Sequence, residues 1–124
     1  MSAPSSGGAS RDGYGEGLLR IAEDPRVVVL EADLGKSTKS CHFRDEYPDR
    51  TVSLGIAEQN MMLVAAGMAS SGKIPFASTF AIFTERAFEQ VRNGIARLVL
   101  VSPYISVVAM AESILVQMVA VLSQ

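Results

Sequence analysis

An uninterrupted apolar run, Val27 to Leu30, is the feature that most limits how this chain can fold. Three of its four residues are β-branched and no polar residue alternates with them, which is typical of a strand buried on both faces. Such strands occur in parallel sheets that helices cover on both sides. The run therefore predicts an α/β fold, with a parallel sheet flanked by helices.

Further helices and short strands alternate along the chain, as this architecture requires. Apolar spacing predicts helices over 11–23, 57–71 and 80–96, and short apolar runs predict strands over 51–54 and 74–78. The polar segment 36–50 predicts a loop with a short helix. A fourth strand is expected at 98–101 or at 105–110, and a last helix over 111–122. Phe88 is expected in the core.

Composition narrows the function classes. The 124 residues suffice for one domain, expected over 11–124 after a flexible tail at 1–10, and the net charge of −2 argues against nucleic acid as a partner. The longest apolar tract, 105–122, contains Glu112, so no membrane span is expected. Cys41 and His42 are the only residues of their types and are adjacent, which predicts neither a disulfide nor a metal site in this chain and fits a cytoplasmic protein.

Glu58 stands at the start of an apolar segment, 61–69, that contains no charge. On spacing alone it is more often a helix N-terminal charge, which the helix dipole favours, than an acid held out of water for a purpose. Phe80 and Phe83 lie three apart on a predicted helix and would share a face. A shielded acid beside such rings fits a flat, basic heterocycle, although core packing is the commoner role of phenylalanines at this spacing. Because ligands gather at the carboxyl ends of parallel strands, Asp33, Glu58 and Phe80 are expected to converge there.

Two segments, TVSLGIAEQNMMLVAA at 51–66 and GKIPFASTFAIFTERA at 72–87, resemble the pyrimidine-binding domain of transketolase-type, thiamine diphosphate-dependent enzymes. The resemblance extends in particular to the separate C-terminal subunit of split transketolases, and the segments at 11–16 and 29–34 match the opening of the same domain. It covers about residues 11–97. It implies the thiamine diphosphate-binding fold of pyrimidine domains in incomplete form, because 98–124 is atypical and lacks the expected histidine and glycine-aspartate-glycine segment.

The resemblance implies roles for the aromatic and acidic residues. Glu58 would be catalytic and would hydrogen-bond N1′ of the cofactor's aminopyrimidine ring. Phe80 and Phe83 would form the pocket for that ring, with Phe83 stacking on it. Arg86 would face the cofactor or a substrate phosphate, although a solvated charge or a neighbour of Glu85 is an equal alternative.

The resemblance also implies roles for four residues in polar, loop-like sequence. Asp33 and Leu34 would lie near the cofactor, although an aspartate after a strand also suits a simple turn. Arg11 and Ser37 would bind the sugar phosphate of the substrate, since an arginine fork suits a phosphate dianion. A solvated surface role for Arg11 and Ser37 is equally open.

The expected function follows from the resemblance and from what this chain lacks. It carries no signature for binding the diphosphate through Mg2+, so a partner subunit would hold the magnesium ion and that end of the cofactor. The chain would then be the pyrimidine-binding subunit of a split transketolase in the pentose phosphate pathway, a dimer or larger oligomer that transfers a two-carbon ketol unit between sugar phosphates. The alternatives are a catalytically incompetent homologue that serves as a dimerisation or partner-binding module, and a fragment of a 1-deoxyxylulose-5-phosphate synthase-like enzyme.

Overall fold

The computed structural model describes residues 10–98, 106–111 and 114–119. The strands are β1 (Val27–Glu31), β2 (Thr51–Ser53), β3 (Ile74–Phe80), β4 (Ser106–Ala111) and β5 (Ile114–Val119). The α-helices are α1 (Ser10–Ile21), α2 (Gly35–Thr38), α3 (Cys41–Glu46), α4 (Glu58–Ser70), α5 (Ala81–Thr84) and α6 (Ala96–Leu98). Two 3-10 helices span Pro48–Arg50 and Glu85–Ala87, and a π-helix spans Gln90–Ile95. The expected tail lies outside the described residues except for Ser10, which begins α1.

The strands form one sheet in the order β2-β1-β3-β4-β5. Strand β1 is parallel to β2 and to β3, and β3 is parallel to β4, whereas β5 runs antiparallel to β4. Every residue of β1 is buried, as its apolar run predicts. The expectation of a parallel sheet flanked by helices is therefore confirmed, with one antiparallel strand added at the edge.

The core has two layers because successive residues of β1 point to opposite faces of the sheet. Val28 and Leu30 pack with the methionines and alanines of α4 on one face. Val27 and Val29 pack on the other face with residues of α1 and α3, among them Leu18 and Phe43. In the part of the chain that the structure describes, no helix is long and apolar enough to cross a membrane.

The C-terminal third departs from the expected elements. The prediction of a strand at 105–110 is confirmed by β4, whereas Leu98, the start of the other option, ends helix α6. The expected helix over 111–122 is wrong, because 114–119 pairs with β4 as strand β5. A continuous apolar stretch has no periodicity that separates a buried helix from a buried strand, so backbone pairing decides between them.

The predicted helix over 80–96 is helical only from Ala81, and its hydrogen-bond pattern changes from α to 3-10 to π along its length. Phe80 is the last residue of β3 instead of a helical residue, which corrects the shared helix face expected for Phe80 and Phe83. The expectation that Phe88 lies in the core is also wrong, since Phe88 is 68% exposed. Ala87 and Ile95 occupy the core positions facing α4 instead.

Arg50 joins three segments at the end of the sheet opposite the strands' carboxyl termini. Its terminal nitrogens donate hydrogen bonds to the carbonyl oxygens of Ala22 (2.8 Å), Asp24 (3.0 Å) and Val27 (3.3 Å). The guanidinium carbon lies 4.3 Å from the centre of the Tyr47 ring and 5.3 Å from that of Phe43. This arginine thus bonds to carbonyl oxygens from the end of α1 to the start of β1. It also packs against Phe43 of α3 and against Tyr47, which follows α3.

The hydrogen bonds of Asp24 make the stability of the fold depend on pH in the acid range. The Arg26 side chain donates to both carboxylate oxygens of Asp24, at 2.8 to 3.3 Å, and the Arg26 backbone donates at 2.9 Å. These bonds from Arg26 lower the pKa of Asp24 from its ordinary 3.8 to about 2. Because the pKa is depressed in the folded state, the stabilisation is present above pH 3.8 and is lost as pH falls towards 2.

Asp24→Asn is therefore expected to lower the thermal unfolding midpoint slightly at pH 7, with the difference from the unmodified chain shrinking below pH 4. Thermal unfolding followed by circular dichroism at pH 7, 4 and 3 measures this. Asp49→Asn, at an exposed aspartate, is the control. A difference that stays constant across these pH values would contradict the assignment.

Candidate functional site

The strands bring Asp33, Glu58 and Phe80 to the carboxyl end of the sheet. In the parallel register Glu31, the last residue of β1, stands opposite Ser53 of β2 and Ser78 of β3. All three strands therefore end on the same side of the sheet. β1 leads into the turn at Asp33, β2 into the connection before Glu58, and β3 into the segment that begins at Phe80. The connections after β1, β2 and β3 are thus neighbours, as their positions after the strands predict.

Glu58 is the first residue of α4 and is only 6% exposed. Among the residues that the structure describes, its carboxylate has no hydrogen-bond or ion-pair partner. The next residue, Gln59, donates from its side-chain nitrogen to the carbonyl oxygen of Arg86 at 2.8 Å and so ties the start of α4 to the segment after β3. Glu58 is therefore both at a helix N-terminus and shielded from water, with its acid group available to a ligand.

The aromatic rings of Phe80 and Phe83 lie at the end of β3 and in α5, shortly before Arg86, to which Gln59 is bonded. The ring centres of Phe80 and Phe83 are 6.1 Å apart with an interplanar angle of 43°. They meet although Phe80 ends a strand, because the helix begins directly after it. The guanidinium carbon of Arg86 is 5.8 Å from the centre of the Phe83 ring, so this arginine lies over an aromatic face.

The turn after β1 lines a cavity of about 360 Å³. Asp33, Leu34 and Ser37 all line it, so the structure brings these three predicted residues together. Glu31, Lys36 and Arg44 line it as well and were not selected from the sequence. The backbone of Asp33 is left-handed, with φ of 60°. Arg11 is exposed in the first turn of α1 and is not among the residues that line the cavity.

Glu31 is the residue that sequence reasoning missed. It is 4% exposed, and its Oε2 accepts hydrogen bonds from the backbone N–H groups of Leu34 (3.1 Å) and Gly35 (3.0 Å). The available signal was its position, since an acid at the end of a strand buried on both faces must find donors there. Within the described residues, no group of three or more histidine, cysteine, aspartate and glutamate side chains could hold a metal ion.

Large apolar side chains are exposed beside the acid and the rings. Ile56, two residues before Glu58, is 78% exposed, and Ile82, next to Phe83, is 67% exposed. Together with the exposed Phe88 they form what we call the apolar rim. Large exposed apolar side chains are typical of an interaction surface when they are contiguous.

Comparison with known proteins gives consistent matches. Residues 8–112 match the family described as transketolase, pyrimidine binding domain. A putative transketolase C-terminal section from Methanocaldococcus jannaschii is 48% identical over 88 residues, which cover 69% of this chain and 28% of that protein. Human transketolase is 43% identical over 86 residues, covering 68% of this chain and 14% of that protein.

A synthase and a solved structure are also similar. A 1-deoxy-D-xylulose-5-phosphate synthase from Clostridium perfringens is 39% identical over 83 residues, covering 66% of this chain and 13% of that protein. A solved structure described as split gene transketolase, inactive β4 tetramer, matches with a TM-score of 0.64 and 54% identity, covering 71% of this chain and 30% of that chain. This chain thus spans less than a third of the length of these relatives.

Proposed function

Since this chain belongs to the transketolase pyrimidine-binding domain family, we propose that it is the pyrimidine-binding subunit of a split transketolase. The proposed reaction is the transfer of a two-carbon ketol unit between sugar phosphates. The observation that carries the proposal is the buried Glu58, which has no partner among the described residues and lies at the end of the sheet where the Phe80–Phe83 pair lies. A cytoplasmic location and a place in the pentose phosphate pathway are parts of the same proposal.

The described residues fit the aminopyrimidine end of thiamine diphosphate. Glu58 offers a carboxyl group without a partner in the described part of the chain, and a buried acid in that state would be satisfied by a ligand donor or acceptor. Phe80 and Phe83 offer aromatic faces for a flat ring. Thiamine diphosphate, when bound, supplies the carbon nucleophile for ketol transfer.

Each of the candidate site residues would have a defined task in that reaction. Glu58 holds a proton at ring nitrogen N1′, which a shielded carboxyl group does without competition from water. Phe83 orients the ring by stacking, and Phe80 closes its edge. Asp33 and Leu34 border a cavity near which the cofactor would lie, and Ser37 borders it where the sugar phosphate would bind. Arg86, and Arg11 on the exposed side of α1, would offer positive charge to phosphate groups.

A partner subunit is part of the proposal. The apolar rim of Ile56, Ile82 and Phe88 supports it, because a subunit that carries the diphosphate and Mg2+ would cover these side chains on assembly. The similar protein of known structure is described as an inactive β4 tetramer, which supports a requirement for a second kind of subunit. The cofactor would then be held between the two subunits.

Titration of thiamine diphosphate with Mg2+ into this chain, with and without a diphosphate-binding transketolase subunit, tests the proposal. We expect saturable binding and ketol transfer only in the mixture, because neither subunit alone contacts both ends of the cofactor. Isothermal calorimetry measures the binding, and consumption of a ketose phosphate donor measures the transfer. Assembly of the mixture without cofactor binding would contradict the proposal and favour a dimerisation or partner-binding module.

The similarity to the synthase supports a second candidate reaction, the condensation of pyruvate with glyceraldehyde phosphate. The same mixture distinguishes the two reactions by the donor that it consumes. Consumption of pyruvate without transfer from ketose phosphates would replace the transketolase assignment with the synthase-like one.

A further inference from the structure

The buried acid of β1, Glu31, has no task in the proposed reaction. Its carboxylate is nevertheless committed, since Oε2 accepts the N–H groups of both Leu34 and Gly35. Two hydrogen bonds to one buried acceptor restrain the backbone groups that donate them. The buried carboxylate of Glu31 therefore restrains the segment that contains Leu34 and Gly35.

The chain that it holds contains a residue with an uncommon backbone conformation. Asp33 lies between Glu31 and the two donors, and its φ of 60° falls in the left-handed region that non-glycine residues seldom adopt. The donors follow it directly, so the two hydrogen bonds close the turn around it. The position of Asp33 and Leu34 at the cavity thus depends on the Glu31 carboxylate.

The main chain of Glu31 holds the second arm of the site. Its carbonyl oxygen accepts the N–H of Leu54 at 3.0 Å. Leu54 begins the short connection that passes through Gly55, with φ of 69°, to Glu58. One residue is therefore bonded to the turn that carries Asp33 and to the connection that carries the proposed catalytic acid.

We propose that Glu31 is a positioning residue whose carboxylate fixes the Asp33–Leu34 turn for cofactor binding, relative to the Glu58 segment that its main chain anchors. The inference rests on the proposed function, which supplies the cofactor. Glu31 would act on the cofactor through the turn that it holds. Its side chain and its main chain can be tested separately, because only the side chain is changed by substitution.

The first test measures amide hydrogen exchange by NMR on the full chain alone. Glu31→Met keeps the length of the side chain and removes the acceptor, so the Leu34 and Gly35 amides should exchange at least about tenfold faster. Glu31→Gln keeps an acceptor oxygen and should restore most of the protection. The Leu54 amide, bonded to the main chain, is the internal control and should stay protected. If Glu31→Met does not fold, Glu31→Asp, which withdraws the acceptor by one methylene, replaces it.

The second test measures thiamine diphosphate affinity with Mg2+ and the diphosphate-binding subunit present. We expect about tenfold weaker binding for Glu31→Met and rescue by Glu31→Gln. Unchanged exchange at Leu34 and Gly35 would overturn the inference, and so would faster exchange with unchanged cofactor affinity. If the unmodified chain binds no cofactor in the mixture, the proposed function and the cofactor half of this inference both fail, whereas the exchange rates still decide whether Glu31 holds the turn.

Discussion

Replacing Glu58 with glutamine is expected to lower ketol transfer by the assembled enzyme at least about a hundredfold, the lower end of what a positioned acid or base contributes. Glutamine has nearly the same size and fills the same buried position, but its amide cannot hold or release a proton at a ring nitrogen. Subunit assembly should therefore persist while turnover falls. Steady-state kinetics on the mixture, with gel filtration to verify assembly, measures both.

Glu46→Gln is the matched control, because Glu46 is an exposed glutamate at the end of α3 that does not line the cavity. Its activity should equal that of the unmodified chain. If Glu58→Gln retains full activity, Glu58 is only an N-terminal charge on α4. Its replacement would then cost no more than about 2 kcal/mol of stability, the upper range for a shielded charge at a helix end.

Arg50→Ala is expected to lower the free energy of unfolding by about 2–4 kcal/mol. The substitution removes the donors of three carbonyl oxygens and the cation that packs on two aromatic rings. Arg50→Lys should lower the free energy of unfolding by more than half of the loss expected for Arg50→Ala. A single ammonium group cannot span three carbonyl oxygens or stack flat on Tyr47. Urea denaturation followed by circular dichroism gives these differences.

Arg20→Ala is the control for the loss of a positive charge, since Arg20 is exposed in the last turn of α1. We expect it to change the free energy of unfolding by less than about 0.5 kcal/mol. Equal effects of Arg20→Ala and Arg50→Ala would show that the carbonyl bonds of Arg50 do not stabilise the fold.

The sequence predicted the features that depend on local pattern. The apolar run of β1 predicted a strand buried on both faces, because burial on both faces requires the absence of alternation. The positions of Asp33, Glu58 and Phe80, each close after a predicted strand, predicted that they would converge at the carboxyl ends of the strands. The parallel register puts the connections after β1, β2 and β3 at the same end of the sheet, whereas the roles of Glu58, Phe80 and Phe83 at a cofactor stay predictions.

The features that the sequence could not predict depend on bonds between distant segments. Arg50 stands in a polar loop, and its carbonyl partners lie 23 to 28 residues earlier in the chain. Phe88 was expected in the core because a constant helical period was assumed. The 3-10 turn over Glu85–Ala87 and the π-helix that begins at Gln90 break that period, and Ala87 and Ile95 face α4 instead. Strand β5 exists through pairing with β4, which apolar composition does not encode.

The left-handed turn at Asp33 restricts which amino acids natural variants of this chain can carry there. Glycine, asparagine and aspartate accept a positive φ, whereas valine or isoleucine would be strained by its branched Cβ. A related chain with a β-branched residue at this site must have rebuilt the loop after its first strand. Position 33 therefore offers a simple way to sort homologues into those that keep this loop shape and those that have abandoned it.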